Sequence, residues 1–177
     1  MQIVVLDRDG VINVDSAGYI KSAQEWQPLP GSISAIANLF KKGYRVYIAT
    51  NQAGLARGLF DLLALEQMHN KLIGLVEREG GQIAGIFFCP HHPDEACGCR
   101  KPKPGLLRQI EVASKTSLED QPFVGDSFKD IEAARAIGAK PILVRTGNGR
   151  ETESLLTERD VEVFDDLSAF VNQLAPV

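Results

Sequence analysis

Two aspartates lie two residues apart near the start of the chain, in the segment Asp7-Arg8-Asp9-Gly10. A carboxylate can attack a phosphorus atom as a covalent nucleophile, while a second acid protonates the leaving oxygen and later takes a proton from water. Gly10 permits the turn that would let both side chains reach one pocket. These residues predict a two-step phosphatase in which Asp7 is the nucleophile and Asp9 the general acid and base.

Three more residues offer the remaining parts of a phosphoryl-transfer site. Thr50 supplies a hydroxyl donor, Lys101 a fixed positive charge and Asp126 a third carboxylate, and Asp130 follows four residues later. Carboxylates that converge on one place repel each other, so a counter-ion is needed. Mg²⁺ suits this role because it prefers oxygen ligands and binds through one or two carboxylates together with a substrate phosphate. We therefore expect Mg²⁺ as the catalytic cofactor.

A third group of chemical side chains occupies residues 88–105, which hold all three cysteines of the chain. Its four candidate ligands are Cys89, His91, Cys97 and Cys99. Four nitrogen and sulfur ligands suit a closed, tetrahedral structural Zn²⁺ site. Such a site has no open position for water, so the ion would fold the loop that carries Arg100 and Lys101. His92 is an alternative ligand, and three reduced cysteines in a surface loop are the alternative without metal.

The elements that must position these residues follow from the apolar pattern. Short buried runs predict strands over residues 3–6, 45–49, 84–88, 123–124, 141–144 and 161–164. Between them, helices are predicted from a cap at Ser32 to Gly43, over 65–76, from Pro104, over 130–137 and over 151–159. This alternation predicts an α/β fold with a doubly wound, mostly parallel sheet, in one domain over residues 1–177.

The order of elements also places the chemistry. In such sheets ligands bind at the carboxyl ends of the strands, and each polar cluster directly follows an apolar run. The short intervals between clusters leave no room for an inserted cap domain, so an open site is expected.

Composition narrows the class of protein. The chain has 177 residues, of which 44% are hydrophobic and 24% charged, and no apolar run approaches the ~20 residues of a membrane span. The first residues lack the features of a signal peptide, so a cytoplasmic location is predicted. A net charge of −4 without a basic stripe disfavours a nucleic-acid partner. We expect a monomer acting on a small molecule.

Four segments together resemble the four motifs of the haloacid dehalogenase (HAD) superfamily of phosphatases: residues 6–13, 49–52, 100–105 and 124–127. Within that superfamily, residues 7–13, 15–20, 51–58 and the Cys/His loop are similar to the heptose-bisphosphate phosphatases of the histidinol-phosphatase-related subfamily. The resemblance implies a capless, Rossmann-like fold. It also implies Mg²⁺-dependent removal of the 7-phosphate of heptose 1,7-bisphosphate through an aspartyl phosphate, in biosynthesis of lipopolysaccharide core or surface glycan.

The resemblance also implies roles for individual residues. Thr50 and Lys101 would hold the phosphoryl group. Mg²⁺ would be bound by Asp7, the backbone carbonyl of Asp9 and Asp126, and Zn²⁺ by the two Cys/His pairs. The substrate site would be lined by Asp15, Gly18, Tyr19, Asn51, Gln52, Ala53, Arg100 and Ser127. Of these, Arg100 would help to recognise the sugar bisphosphate.

Other functions remain open at this point. The short loop between His91 and Cys97 fits a histidinol-phosphate phosphatase equally well. A polynucleotide 3′-phosphatase is disfavoured because acidic residues outnumber basic ones, which does not suit binding to a phosphate backbone. A receiver module would keep a phosphoaspartate rather than hydrolyse it, and Asp9 argues against that because it supplies the acid and base for turnover. A zinc-containing interaction domain would have no need of the acidic residues and Lys101.

Overall fold

The computed structural model describes residues 2–157 and 161–177, in which six strands alternate with six helices. The strands are β1 (Ile3–Leu6), β2 (Arg45–Asn51), β3 (Gly85–Cys89), β4 (Pro122–Gly125), β5 (Lys140–Val144) and β6 (Glu162–Phe164). The helices are α1 (Ser32–Lys41), α2 (Leu62–Arg78), α3 (Gly105–Ser114), α4 (Phe128–Arg135), α5 (Gly149–Leu155) and α6 (Leu167–Gln173).

The six strands form one sheet in the order β3-β2-β1-β4-β5-β6, and every neighbouring pair is parallel. This confirms the predicted α/β, doubly wound architecture. The chain builds outward from β1 through β2 and β3, and then continues on the other side of β1 with β4. A crevice opens at such a reversal, beyond the carboxyl ends of the strands. The reversal lies between β1, which precedes Asp7, and β4, which precedes Asp126.

The central strand explains why the sheet is parallel and covered on both faces. All four residues of β1 are at most 1% exposed, so the strand is a continuous apolar run rather than an alternating one. Val4 and Leu6 face a core formed with α1 and α2, whereas Ile3 and Val5 face a second core formed with α3 and α4. Because β1 is buried on both faces, its end is fixed in place, and it holds the polar residues that follow it.

Two helix predictions differ from the structure. Ser32 is not a cap but the first residue of α1, whose N-cap is Gly31 at a φ of 76°. The Ser32 side chain is buried, and its Oγ donates hydrogen bonds to the carbonyls of Ile12 and Leu29 instead. Near the C-terminus, the helix predicted over 151–159 begins at Gly149 and ends at Leu155 in the structure, and the last two residues of its predicted range, 158–159, lie outside the described residues.

No second sheet covers the carboxyl edge in the part of the chain that the structure describes. The connection from β1 to α1 contains only isolated bridges, which join Asn13 to Asp9 and to Pro28. The site is therefore capless, as predicted. Within residues 2–157 and 161–177, no helix has both the length and the apolarity needed to cross a membrane.

Candidate active site

A cavity of about 250 Å³ lies at the carboxyl edge of the sheet, where β1, β2, β4 and β5 end. It is lined by most of the residues that the sequence predicted for the site: Asp7, Asp9, Asp15, Tyr19, Thr50, Asn51, Gln52, Arg100, Lys101, Asp126 and Ser127. Gly18 and Ala53 lie outside this lining. Ala53 is 3% exposed and packs beneath the β2 end, and Gly18 is exposed in the loop beside Tyr19.

Lys101 joins two carboxylates at the floor of the cavity. Its Nζ lies 2.8 Å from Oδ1 of Asp7 and 2.7 Å from Oδ1 of Asp130, and its side chain is 2% exposed. Burial disfavours the ammonium, but the charges of Asp130 and Asp7 outweigh this and raise the pKa of Lys101. The lysine is therefore a permanent cation beside Asp7. The backbone N–H of Arg8 also donates to Oδ1 of Asp7 at 2.7 Å, which fixes the orientation of this carboxylate.

The acidic cluster carries more negative charge than Lys101 can neutralise. Carboxylate oxygens of Asp7, Asp126 and Asp130 all lie within 4.8 Å of one another, and all three residues are buried. Burial raises the pKa of Asp7 well above its usual value; Lys101 opposes this shift, and the charges of Asp130 and Asp126 add to it. A bound cation would stabilise such clustered, buried carboxylates as anions and so offset the raised pKa of Asp7. Their oxygens are the donor set that suits Mg²⁺.

Asp126 is held from the end of β5. Its Oδ2 accepts hydrogen bonds from the backbone N–H and the side-chain Nδ2 of Asn148, at 2.8 and 3.2 Å. Burial raises the pKa of Asp126 to about 6 although the Asn148 N–H opposes this. Gly10 has a φ of 84°, and a Cβ at this position would overlap the Asp126 carboxylate. Glycine is therefore required for the turn after Asp9 and for the close approach of Asp126.

Asp130 is already fully engaged and has a supporting role. Its Oδ2 accepts hydrogen bonds from the N–H groups of Asp126 and Ser127 and from the Ser127 hydroxyl, and its Oδ1 accepts from Lys101. With Ser127 as N-cap these contacts form a capping box at the start of α4. The Ser127 hydroxyl, expected from the sequence to contact substrate, is thus used to begin the helix that places Asp126.

Asp9 lies at the cavity wall in a dense set of donors. Its carboxylate accepts hydrogen bonds from Nε and Nη2 of Arg8, Nδ2 of Asn13 and Nε2 of Gln52, at 2.8–3.3 Å. Burial opposes ionisation, but the Arg8 charge and these hydrogen bonds outweigh it and lower the pKa of Asp9. Gln52 Nε2 also donates to Oγ1 of Thr50 at 2.9 Å, which leaves the Thr50 hydroxyl proton free to point at a phosphoryl group.

Arg100 brings an unpaired cationic group to the cavity. Its Nη1 is buried and has no hydrogen-bond partner among the residues that the structure describes. A buried donor without a partner is costly, so a ligand acceptor is expected there. On the opposite loop, Tyr19 has a φ of 66°, and the guanidinium of Arg57 lies 5.9 Å from its ring centroid, which fixes the loop carrying Asp15.

The Cys/His loop has the geometry of a tetrahedral metal site. Ligand atoms of Cys89, His91, Cys97 and Cys99 all lie within 4.8 Å of one another. The Sγ atoms of Cys89 and Cys97 are 3.8 Å apart, and His91 Nδ1 lies 3.5 and 3.2 Å from Sγ of Cys89 and Cys99. Zn–S and Zn–N bonds of about 2.3 and 2.0 Å at tetrahedral angles require edges of roughly 3.5–3.8 Å. The four residues therefore fit zinc.

The neighbouring histidine is not part of this cluster. The Nδ1 of His92 accepts a hydrogen bond from the Asp94 N–H at 3.2 Å and lies 3.3 Å from the Asp94 carboxylate. Of the two histidines considered from the sequence, His91 is the one that the fold brings to the cysteines. Lys103 is exposed, and its Nζ donates to the Cys97 carbonyl at 2.7 Å.

Four residues at or beside the site were not singled out from the sequence: Arg8, His69, Lys129 and Asn148. Asn148 lies in the loop after β5, four residues past Val144, and could have been found by applying to β5 the strand-end rule that was used for Asp126. Arg8 lies within the predicted motif of residues 6–13, and Lys129 lies two residues beyond the predicted motif of residues 124–127. His69 carried no signal, since an isolated histidine on a helix is usually a packing residue.

Residues 98–170 match a family model described as HAD-hydrolase-like. A D-glycero-beta-D-manno-heptose-1,7-bisphosphate 7-phosphatase from Pseudomonas putida is 52% identical over 174 residues, covering 98% of this chain and 99% of that protein. The protein of the same name from Pseudomonas aeruginosa is 51% identical over 172 residues, covering 97% of each.

Among solved structures, the D,D-heptose 1,7-bisphosphate phosphatase from Bordetella bronchiseptica, complexed with magnesium and phosphate, is 46% identical to this chain. Its structure gives a TM-score of 0.95 and covers 98% of this chain and 97% of its own. The likeness therefore extends over nearly the whole of both proteins.

Proposed function

Because this chain belongs to the HAD-like hydrolases, and within them to the D-glycero-beta-D-manno-heptose-1,7-bisphosphate 7-phosphatases, we propose that it removes the 7-phosphate of that sugar through an aspartyl phosphate on Asp7. The observation that carries the mechanism is the placement of Asp7, Asp9 and Lys101 around one cavity at the strand ends. The two acids supply nucleophile and acid/base, and the lysine supplies the charge that phosphoryl transfer needs.

In the first step Asp7 attacks the phosphorus atom of the 7-phosphate, and the bond from phosphorus to the sugar oxygen breaks. Asp9 must hold a proton when the substrate is bound, and the anionic phosphate beside it favours this form by opposing the Arg8 charge. Asp9 gives that proton to the departing oxygen, which leaves as the sugar hydroxyl. In the second step Asp9 takes a proton from water as the water oxygen attacks the phosphorus of the Asp7 acyl phosphate. The bond between Asp7 and phosphorus breaks, inorganic phosphate is released, and both acids return to their starting states.

Side chains around the cavity hold the transferred group during both steps. The ammonium of Lys101 stays beside Asp7 and can pair with the equatorial oxygens as charge spreads over them. Thr50, whose Oγ1 already accepts from Gln52, can donate its hydroxyl proton to another of these oxygens. Because both groups are buried, their interaction with the phosphoryl group is little weakened by water.

Asp7, Asp126 and the backbone carbonyl of Asp9 are the proposed holders of Mg²⁺. The oxygen-only donor set, its close spacing and its excess negative charge fit such an ion. When bound, Mg²⁺ supplies charge that lets an anionic phosphate approach the anionic Asp7. Zn²⁺ is proposed for the Cys/His loop, where four protein ligands close the site and leave the ion a structural role.

Recognition of a bisphosphate requires a second anion site away from Asp7. The 1- and 7-phosphates stand at opposite ends of the sugar, so the 1-phosphate would lie toward the rim of the cavity. Arg100 and Lys129 are the cations that line this rim, and Arg100 has a buried donor without a partner in the described part of the chain. We assign them to the second phosphate, with Asp15 and Tyr19 beside the sugar.

The test is phosphate release with Mg²⁺ from the β and α anomers of D-glycero-D-manno-heptose 1,7-bisphosphate, with Asp7→Asn as the blank. Histidinol phosphate and a 3′-phosphorylated oligonucleotide serve as competing substrates. We expect rapid release from the β anomer, with heptose 1-phosphate as the product seen by phosphorus NMR, and none from the blank. Preferential release from histidinol phosphate or from the oligonucleotide would overturn the proposed substrate while leaving the phosphatase chemistry intact.

A further inference from the structure

Arg8 stands between the two catalytic aspartates, yet the mechanism assigns it no chemical step. Its side chain is 1% exposed, and a buried guanidinium is tolerated only when its donors are paired. Nε and Nη2 donate to the carboxylate of Asp9, at 3.0–3.3 Å. The remaining nitrogen, Nη1, lies 3.3 Å from Nε2 of His69. The guanidinium is thus held on one side by Asp9 and on the other by His69.

His69 comes from helix α2 and is 9% exposed. Arginine has donors only, so Nε2 of His69 must be the acceptor, and the ring proton must reside on Nδ1. Burial and the nearby Arg8 charge lower the pKa of His69 to about 4, in keeping with this neutral form. The ring packs against Phe88 of β3 with centroids 6.1 Å apart, which restricts its rotation.

We propose that Arg8 and His69 are positioning residues for the acid/base, with His69 orienting the Arg8 guanidinium and Arg8 orienting the Asp9 carboxylate. This inference rests on the proposed function, because it takes Asp9 as the group that exchanges protons with the sugar oxygen and with water.

A short carboxylate side chain can rotate about its last bond, and proton transfer needs one of its oxygens within hydrogen-bond reach of the reacting oxygen. Donors on two sides prevent this rotation. Arg8 and Asn13 engage Oδ1, at 3.0 and 2.8 Å, and Gln52 engages Oδ2 at 2.9 Å. Arg8 is long enough to swing, so its own direction depends on the acceptor at its far end. That acceptor is His69, which lies 61 residues away in sequence and outside the lining of the cavity.

The experiment compares His69→Phe, which keeps a buried ring but removes the acceptor, with His69→Gln, whose side-chain oxygen can replace Nε2. Single-turnover formation of the Asp7 acyl phosphate is measured by rapid quench with two substrates. Heptose 1,7-bisphosphate has an alkoxide leaving group that needs a proton, whereas p-nitrophenyl phosphate has one that needs little help. A displaced acid therefore slows the first reaction and spares the second.

We expect His69→Phe to slow transfer from the sugar by about 5- to 10-fold, as for loss of one hydrogen bond in an orienting chain, and transfer from p-nitrophenyl phosphate by less than about twofold. His69→Gln should recover most of the loss. Phe88→Leu is the matched control: it disturbs the packing of the same ring, keeps the acceptor, and should leave the ratio of the two rates unchanged.

Asp9→Asn provides the reference for loss of the acid, and it should show the same dependence on the leaving group in a stronger form. Suppose that Asp9→Asn shows this dependence, but His69→Phe slows both substrates equally or His69→Gln fails to recover the rate. The positioning role is then wrong, while the proposed function stands. If Asp9→Asn shows no dependence on the leaving group, the acid/base assignment itself fails, and the positioning role fails with it.

Discussion

Asn51 and Lys101 exchange two hydrogen bonds between the end of β2 and the loop that follows the zinc ligands. The backbone N–H of Lys101 donates to Oδ1 of Asn51 at 3.0 Å, and Nδ2 of Asn51 donates to the Lys101 carbonyl at 3.1 Å. Asn51 was expected to contact substrate, and it lines the cavity, but its amide is already used to fix the backbone of the phosphate-binding lysine. The position of the ammonium therefore depends on β2 as well as on the loop.

Asn51→Ala should lower kcat/KM by roughly 30-fold, because two hydrogen bonds that fix the Lys101 backbone are lost, each worth about 1 kcal/mol. The reduction should be larger in kcat than in KM, since the ammonium acts mainly on the charge that develops during transfer. Steady-state kinetics with the sugar bisphosphate measure both constants. Asn38→Ala, an exposed asparagine of α1, is the control. A loss confined to KM would instead indicate that Asn51 contacts the substrate directly.

Loss of zinc should disorder the loop and reduce activity while the sheet remains folded, since the loop has few apolar residues to hold it otherwise. His91→Ala removes a ligand, and His92→Ala changes the adjacent histidine that lies outside the cluster. We expect one zinc per chain by elemental analysis in the wild type and in His92→Ala, and less in His91→Ala. Hydrogen exchange should then increase in residues 89–101. Unchanged protection there without zinc would contradict this role.

The central chemistry could be predicted because it is local in sequence. Asp7 and Asp126 each follow an apolar strand directly and Thr50 is the second-last residue of one, and parallel strands bring such positions to one edge whatever the packing details are. The same holds for the Cys/His loop, whose ligands lie within eleven residues.

What could not be predicted depends on contacts between distant segments. His69 reaches Arg8 only because α2 packs against a face of the sheet to which β1 contributes. No local sequence pattern specifies which side chain of α2 points at Arg8. Ser32 has a residue type typical of helix caps, but its burial beside Ile12 gave its hydroxyl another partner. Tertiary contacts decided both cases against the local preference.

Asn148→Ala should weaken Mg²⁺ binding by about tenfold, because it removes the side-chain donor that orients Asp126 but leaves the backbone N–H in place. The dissociation constant is to be measured by calorimetry with Mg²⁺ alone, and the Mg²⁺ concentration that gives half-maximal activity should rise in parallel. Asp126→Asn should have a larger effect, since it removes a charged ligand. Equal Mg²⁺ affinity in Asn148→Ala and the wild type would show that the backbone contact suffices.

Arg100→Met should raise KM for the bisphosphate by about 10- to 100-fold, as expected for loss of charge-assisted hydrogen bonds to a phosphate. The effect should largely disappear with the 7-monophosphate of the same sugar, which lacks the group that Arg100 is assigned to bind. Arg108→Met removes the same charge from the exposed face of α3 and serves as the control. Equal effects on both substrates would place Arg100 at the transferred phosphate or at the loop backbone instead.

His69 should make the fold sensitive to mild acid. Its pKa is lowered to about 4 by burial and by Arg8, with Asp9 opposing, so the folded state binds the proton less readily than the unfolded chain near 6.5. Stability is therefore lost as pH falls from about 6.5 toward 4, by about 2 kcal/mol between pH 7 and pH 5. In urea unfolding at these two pH values, His69→Gln should show a decrease smaller by that amount. Phe88→Leu alters the same packing but removes no titrating group, so it should keep the full decrease in the free energy of unfolding. If that decrease were equal in His69→Gln and in the wild type, His69 would be protonated in the folded protein as easily as in the unfolded chain.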